Sequence, residues 1–421
     1  MREKASILVG LLWCLALLSI AVFGILHTSR MDLLVVKHYG DRIQAHYLAL
    51  AGVERAKALL YRDSESRRKS GKNHTGALYD DDADFHDVKL GRGKISVGYG
   101  SPSTYGIGDE ESRINVNTAS LEVLTNIEGM TPDIATAISD WRGASNQVSA
   151  GGAGVDYYES LIPPYLPRNG PIQTLRELLM VRGVTPQLLL GEGDPQSNVD
   201  DSDDQLPVEN GWAPLLTVDS KDDNVNASGT ARVDIKSADQ SALSQVEGIT
   251  PAIARAIANW QGRGNFRSVA DLLDVTGQRG GQQNLGGGGN ASQLIDHNLL
   301  MQIADSLTVG TDSSSQGLIN INTASVEVLK CLPGLDEALA HSIISHRQSN
   351  GFFANIAELL KVDGITDDVL KQVAPLLTAR SETFRVISEG RIASTGTRQR
   401  IQAILHVGPK EIQTLSYRED L

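Results

Sequence analysis

The sequence predicts an α+β fold: a long N-terminal membrane and spine α-helix packed on a small antiparallel sheet, with a large all-α insertion of helix-hairpin-helix units. Three observations carry this. An uncharged apolar run, ASILVGLLWCLALLSIAVFGIL (5–26), stands near the start of the chain. The word INVNTAS (114–120) returns as ININTAS (319–325) with six of seven letters unchanged. Apolar residues alternate on either side of the region holding these words.

The apolar run comes first. At about 1.5 Å per residue it reaches roughly 33 Å, enough to cross a bilayer. Arg2 and Lys4 precede it, which predicts a cytoplasmic N-terminus and a single transmembrane helix over 6–28. A cleaved secretory signal would have a shorter apolar core and an A-x-A-like site, and HTSRMDLLVV follows instead. Leu33, Val36, Tyr39, Ile43, Tyr47, Leu50, Val53 and Leu60 then recur at spacings of mostly three or four. That pattern predicts one apolar helix face, and a helix continuing to about 62 before SGKNHTG breaks it.

Next come the strands. GKISVGYG (93–100) alternates Ile95, Val97 and Tyr99, and Ile114 and Val116 continue the pattern after a turn. Near the end Phe384 and Val386 alternate, as do Ile401, Ala403, Leu405 and Val407, with ASTG between the two runs as a hairpin turn. One sheet from these strands implies a discontinuous α+β domain, 29–116 with 381–421, and an inserted helical domain, 117–380.

Inside the insertion the repeated word opens three units, about 113–143, 232–274 and 318–364. Gly129, Gly248 and Gly334 align, each twelve residues after Asn117, Lys236 and Asn322. Each unit reads as two short helices around a glycine turn. Asn117 and Thr118 are expected to cap the first helix, and Thr131–Pro132 and Thr250–Pro251 to start the second. Such a pair buries too little alone, so the copies must pack on each other or on the helices in TLRELLMVRGV and NIAELLKVDGI.

Charge and motif content narrow the function. The formal net charge is −13, and residues 113–380 hold 17 Lys+Arg against 32 Asp+Glu, a net of −15. An acidic body suits nucleic acid poorly, because phosphate contacts need cations. DNA-binding hairpins usually read Gly-apolar-Gly; here the turns read GMT, GIT and GLD, and Asp336 and Glu337 stand where a phosphate would dock. Cys14 and Cys331 cannot form a disulfide framework. No nucleophile elbow, P-loop, H-E-x-x-H or paired C-x-x-C occurs, and His341 and His346 are five apart, so no enzyme is expected. Asp194, Asp200, Asp201, Asp203 and Asp204 are calcium-type oxygen ligands, but no EF-hand glycine or closing Glu follows. An acidic solvated linker over 192–204 is favoured, and no cofactor is expected.

The stretches LLWCLALLSIAVFGILHTSRMDL, AHYLALAGVERAKALL, DYYESLIPPYLPRNGPIQTLRELLMVRGVTPQLLLGEGD and FRVISEGR carry a family resemblance. In order and spacing they resemble the minor pseudopilin K family of type II secretion (general secretion pathway protein K), within the pilin superfamily. The resemblance implies a pilin-like domain over 29–116 and 381–421 with a helix-hairpin-helix (SAM-like) insertion. It further implies a leader of residues 1–5, cut by a prepilin peptidase between Ala5 and Ser6, with Ala where such leaders usually carry Gly. The chain would sit in the bacterial inner membrane with its bulk in the periplasm. Implied partners are the I and J minor pseudopilins, gripped along Leu33, Val36, Ile43, Tyr47 and Leu50, the major pseudopilin fibre and the secretion platform in the membrane. Pilins carry a Glu at the fifth mature residue; here that residue is Gly10, and no acid lies from Ser6 to Ser29. That absence and the bulky insertion imply the tip of the pseudopilus. The NTA hairpin also resembles that of the membrane-bound DNA receptor of natural transformation, which with a type IV pilus minor pilin is the alternative.

Overall fold

A computed structural model describes residues 2–71, 79, 81–99, 104–144, 148–191, 211–262, 264, 266–276, 293–310 and 317–419. Helix α1 (Arg2–Ser70) leads, followed by the single turn α2 (Asp82–Phe85) and strands β1 (Val88–Leu90), β2 (Gly93–Gly98) and β3 (Gly108–Asp109). A first helical unit holds β4 (Ile114–Asn115), α3 (Leu121–Thr125), α4 (Pro132–Arg142), α5 (Val155–Glu159), α6 (Pro186–Leu190) and β5 (Leu216–Thr217). A second holds β6 (Val233–Asp234), α7 (Gln240–Ser244), α8 (Pro251–Gln261), α9 (His297–Ile303) and β7 (Leu307–Thr308). The third holds β8 (Ile319–Asn320), α10 (Val326–Leu329), α11 (Glu337–Asn350), α12 (Asp367–Val373) and β9 (Leu377–Thr378). Strands β10 (Thr383–Ile392), β11 (Arg398–Val407) and β12 (Ile412–Glu419) follow.

The main sheet is antiparallel in the order β1-β2-β10-β11-β12, with β3 also paired to β10. Ile387 lies opposite Gly98, and Phe384 opposite Asp109, so strands on both sides of the helical units share one sheet. The alternation through Ile114 and Val116 does not join it. After β3 the chain turns, with the Ser112 hydroxyl donating to the Asp109 carbonyl at 2.6 Å. β4 then pairs in parallel with β5, Ile114 opposite Leu216, and both Ile114 and Val116 are buried in the helical core.

Helix α1 extends past the expected end at 62 to Ser70, a length of roughly 100 Å. Its apolar pattern stops at Leu60, but Ser64 and Arg67 are buried, and Arg68 donates to the Gly408 carbonyl at 2.7 Å. Arg67, Arg68 and Lys69 also suit the negative end of the helix dipole. The surface of α1 against the sheet is a stripe of mostly small residues: Ala45, Leu48, Ala49, Gly52, Val53, Ala56 and Leu60. A Cβ on Gly390 would lie 2.1 Å from the Ala45 carbonyl oxygen, and one on Gly52 would lie 2.0 Å from Ser388 Oγ. Backbones this close leave no space for side chains.

The expected single face of α1 therefore divides. From Leu33 to Leu60 the helix makes about 7.5 turns, so a pattern spaced slightly below 3.6 drifts by half a turn. Val53 and Leu60 reach the sheet, whereas Leu33, Val36, Tyr39, Ile43 and Tyr47 are exposed on the opposite side.

In each helical unit the repeated word does the same work. The side chains of Asn115, Asp234 and Asn320 accept the N–H two residues on, at 2.8, 3.0 and 2.9 Å, forming Asx turns out of the first strand. The caps of the first helices are Ser120, Asp239 and Ser325, three residues beyond the expected Asn117. Asn117 instead clamps the backbone of Ile172, donating to its carbonyl at 2.9 Å and accepting its N–H at 2.7 Å. Asn322 holds Phe353 in the same way. The second copy has Lys236 here, which explains its weaker likeness. Thr131 and Thr250 cap the next helices ahead of Pro132 and Pro251, and Asp336 caps the third. Gly129, Gly248 and Gly334 turn the chain at φ +77°, +97° and +82°, where a Cβ would be strained.

A second hairpin completes the first and third units. The short 3-10 turn Leu175–Met180 leads through Gly183 to α6, and Ile356–Lys361 leads through Gly364 to α12. All three units close with a Leu-Thr strand, β5, β7 or β9, parallel to the strand that opened them.

Candidate functional site

The first candidate surface is the free side of α1. Leu33 is 71% exposed, Ile43 41% and Tyr47 63%, and Val36 is exposed beside them. At 100° per residue this stripe lies roughly 170° around the helix from the sheet-facing stripe. Leu50 differs from the other members of the expected partner face: it is half-buried against the core under the sheet. The exposed stripe runs on from the apolar segment. Among the described residues α1 is the one helix long and apolar enough to cross a membrane, with mean hydropathy 2.2 in its most apolar window. The expected cleavage point between Ala5 and Ser6 lies within the helical backbone of α1.

The hairpin turns are the second candidate. The N–H groups of Ile134, Ile253 and Leu339, at the start of each second helix, are taken by the Thr131, Thr250 and Asp336 side chains, which leaves fewer free donors for an anion. Glu128 and Glu247 directly precede the first two glycines, and Glu337 opens α11. Beside each turn stands the last helix of its unit: Leu188 near Gly129, Gln302 and Ile303 near Gly248, Gln372 near Gly334. Arg142, Gln261 and Arg347 point back into their units and bond to carbonyls of the repeated word. These are features of packing units. Acidic residues beside the turns oppose a phosphate. The acidic loop 192–204 lies outside the described residues.

The third candidate is the junction between sheet and helical units, whose long-range partners no local motif reveals. Asp109 accepts from Ser381 Oγ at 2.6 Å, Asn320 Nδ2 at 3.3 Å and the Thr323 hydroxyl. Glu111 accepts the Thr383 N–H at 3.1 Å. Glu110 meets Arg385 at 2.7 Å. Burial pushes the carboxyls of Asp109, Glu111 and Glu382 above the usual range, and Asp109 adds to the effect on Glu111. Burial, with Arg380 close by, lowers Arg67 to about 10. The run DEES (109–112) ahead of the first repeated word was the visible signal for part of this cluster. Cys331 is packed, its Sγ donating to the Glu327 carbonyl at 3.1 Å, and burial pushes the thiol up to about 11.

Asp219 gives the junction a pH dependence. Burial, then the Glu110 charge, raise its carboxyl from 3.8 to about 6. A raised folded-state value means that the native chain binds more protons than the unfolded chain between those limits. Stability from this group therefore falls as pH rises through the window. Asp219→Asn is expected to stabilise the chain by about 1 kcal/mol at pH 8, discounted for partial exposure, and to be neutral near pH 3. Urea midpoints of both chains at several pH values would check it; a gain independent of pH would contradict it.

The fold and these surfaces define a class: one membrane-length helix running onto an antiparallel sheet, with helix-hairpin-helix units placed between strands of that sheet. Comparison with known proteins is consistent in its parts. Residues 228–278 and 314–378 match the helix-hairpin-helix motif, and residues 112–190 match the family model for Type II secretion system (T2SS), protein K. Endonuclease/exonuclease/phosphatase family domain-containing protein 1 of Rattus norvegicus is 28% identical over 153 residues, 34% of this chain and 27% of that protein. ComE operon protein 1 of Bacillus subtilis (strain 168) is 33% identical over 73 residues, 17% of this chain and 36% of its own length. The chain thus spans about a quarter to a third of these relatives. A chain in the crystal structure of the GspK-GspI-GspJ complex from enterotoxigenic Escherichia coli Type 2 Secretion System is similar over 89% of this chain and 97% of its own, at 13% identity and TM-score 0.45.

Proposed function

We propose that this chain is a minor pseudopilin of a type II protein secretion system, a non-enzymatic structural subunit at the tip of a periplasmic pseudopilus. The observation that carries the reading is the match of residues 112–190 to the protein K family of that system. Two features support it: the single apolar helix and the exposed stripe that continues it on the side away from the sheet. Residues 6–28 anchor the chain in the inner membrane with the N-terminus in the cytoplasm, after a prepilin peptidase cuts between Ala5 and Ser6. Leu33, Val36, Ile43 and Tyr47 receive the spine helices of the I and J minor pseudopilins; Leu50 contributes from the edge of the sheet contact. The helical units then form an insertion in a pilin-like domain, too bulky for another subunit to stack above.

The test is co-purification of the full chain, in detergent, with the other minor pseudopilins of its system. Ile43→Asp and Tyr47→Asp are expected to reduce recovery of the partners at least about tenfold, since each places a charge in an apolar contact. Circular dichroism should be unchanged, because both residues point away from the sheet. Undiminished recovery would sink the reading. So would tight, low-salt binding of duplex DNA to the purified chain, which would favour the DNA-receptor alternative.

A further inference from the structure

The main sheet ends in two unlike edges. β1 forms one with three residues, and the exposed Lys89 stands in the middle of them. Short strands and lysines are the usual guards of an edge. β12 forms the other with eight residues, Ile412–Glu419, about 26 Å of strand. Its stretch IQTLSY (412–417) carries no charge, proline or glycine. Leu415 is the extra residue of a bulge against Ile404 and Leu405, yet it is apolar and 45% exposed; Tyr417 is 43% exposed. Among the described residues, β11 is the one strand paired with β12. An open row of backbone donors and acceptors beside exposed apolar side chains is a template for another strand.

This edge is continuous with the exposed stripe of α1. Tyr417 lies opposite Ala403 and Glu419 opposite Ile401, and both opposing residues are buried under α1. Tyr417 and Glu419 therefore stand on the helix side of the sheet. Glu419 Oε2 is 4.0 Å from His46 Nδ1, and the His46 ring meets the Tyr47 ring edge-on at 5.5 Å. Tyr47 belongs to the stripe, so a partner lying along the stripe also comes alongside the end of β12. Direction narrows the choice of partner. Arg68 bonds the Gly408 carbonyl, in the turn that leads into β12, and the strand ends at His46. β12 thus runs toward the membrane end of α1. Two copies of this chain pairing β12 antiparallel would point their α1 helices in opposite directions, which helices anchored alike in one membrane cannot do.

We propose that β12 takes up an edge strand of the neighbouring pilin-like subunit, running away from the membrane, as a seventh strand of the sheet. The proposal rests on the pseudopilin reading, since that subunit is the one seated on the α1 stripe. The stripe supplies apolar contact. The strand adds directed backbone hydrogen bonds from the residues of β12 that face away from β11, and so fixes the partner's height along α1.

The test uses the full chain in detergent with the other minor pseudopilins of its system, read by co-purification and by amide hydrogen exchange. In the complex, exchange should slow at least about tenfold at roughly half of the amides of 412–419, those directed away from β11. Residues 398–407, already paired on both sides, should change little. Leu415→Lys combined with Tyr417→Lys should reduce recovery of the partners at least about fivefold, because charge guards an edge. Capture that depends on Ile43 but leaves 412–419 unprotected would overturn the strand proposal while the pseudopilin reading stands, as would undiminished recovery with the double variant. Failure of the parent chain to capture any partner would sink both. A dimer of the chain alone with 412–419 already protected would give the edge to a second copy and overturn the proposal. Should the double variant fold poorly, the exchange pattern of the unaltered chain decides alone.

Discussion

Replacing Gly390 with valine is expected to lower the stability of the sheet domain by about 3 kcal/mol, the upper end of the usual cost of overpacking. A Cβ at this position meets the Ala45 carbonyl oxygen at 2.1 Å, the Ala49 nitrogen at 2.5 Å and Leu48 Cβ at 2.7 Å. Two of the three are backbone atoms, so no rotamer change can relieve the clash. α1 would have to lift from β10, uncovering Val53, Ala56 and Leu60. Because the helical units have a separate hydrophobic core, the loss should be local. Hydrogen exchange should accelerate in 45–60 and 383–392, while 121–142 keeps its protection. Equal acceleration in both regions would mean that the two cores unfold as one, and the local argument would fail.

Asn322→Ala is expected to cost about 3 kcal/mol, and more than the equivalent Asn117→Ala. The buried Asn322 amide donates to the Phe353 carbonyl at 2.9 Å and the Ala379 carbonyl at 2.8 Å, and accepts the Phe353 N–H at 2.8 Å. Removing it leaves two buried backbone groups of Phe353 and the half-buried Ala379 carbonyl short of a partner, each loss worth about 1–3 kcal/mol before relaxation. Among the described residues the Asn117 side chain makes two bonds, both to Ile172. Urea unfolding followed by circular dichroism should rank the two substitutions in that order. The reverse order would show that the clamp is not what stabilises the third unit.

The parts of this fold that were legible in the sequence are those written in local spacing. The three hairpin glycines, the Thr-Pro helix starts and the alternation through Ile95, Val97 and Ile401 to Val407 depend on neighbours a few residues away. Asn117 and Thr118 are good capping residues by type, but the tertiary clamp on Ile172 takes Asn117, and Ser120 caps instead. The sheet-facing stripe of α1 does not show in the sequence as a run of large apolar residues, because much of it is small. Where backbones approach closely, Ala45, Ala49, Gly52 and Ala56 form the middle of the buried face, with Leu48, Val53 and Leu60 beside them. The closing strands are too short for any alternation to show, although the thrice-used Leu-Thr at 216, 307 and 377 was a usable signal.

The pairing of β3 with β10 has a consequence in time. Asp109 lies opposite Phe384, so everything between them is synthesised before the sheet can take its register. The helical units close on themselves through short-range contacts, and each can form as it emerges. The small-residue stripe of α1 cannot, because the strands it rests on, β10 and β11, come after all three units. During that interval the stripe, in which Ala and Gly alternate with Leu48, Val53 and Leu60, has no sheet to rest on. Small residues there uncover less apolar area than a row of leucines would. The order of elements along the chain thus favours the same composition that close packing later requires.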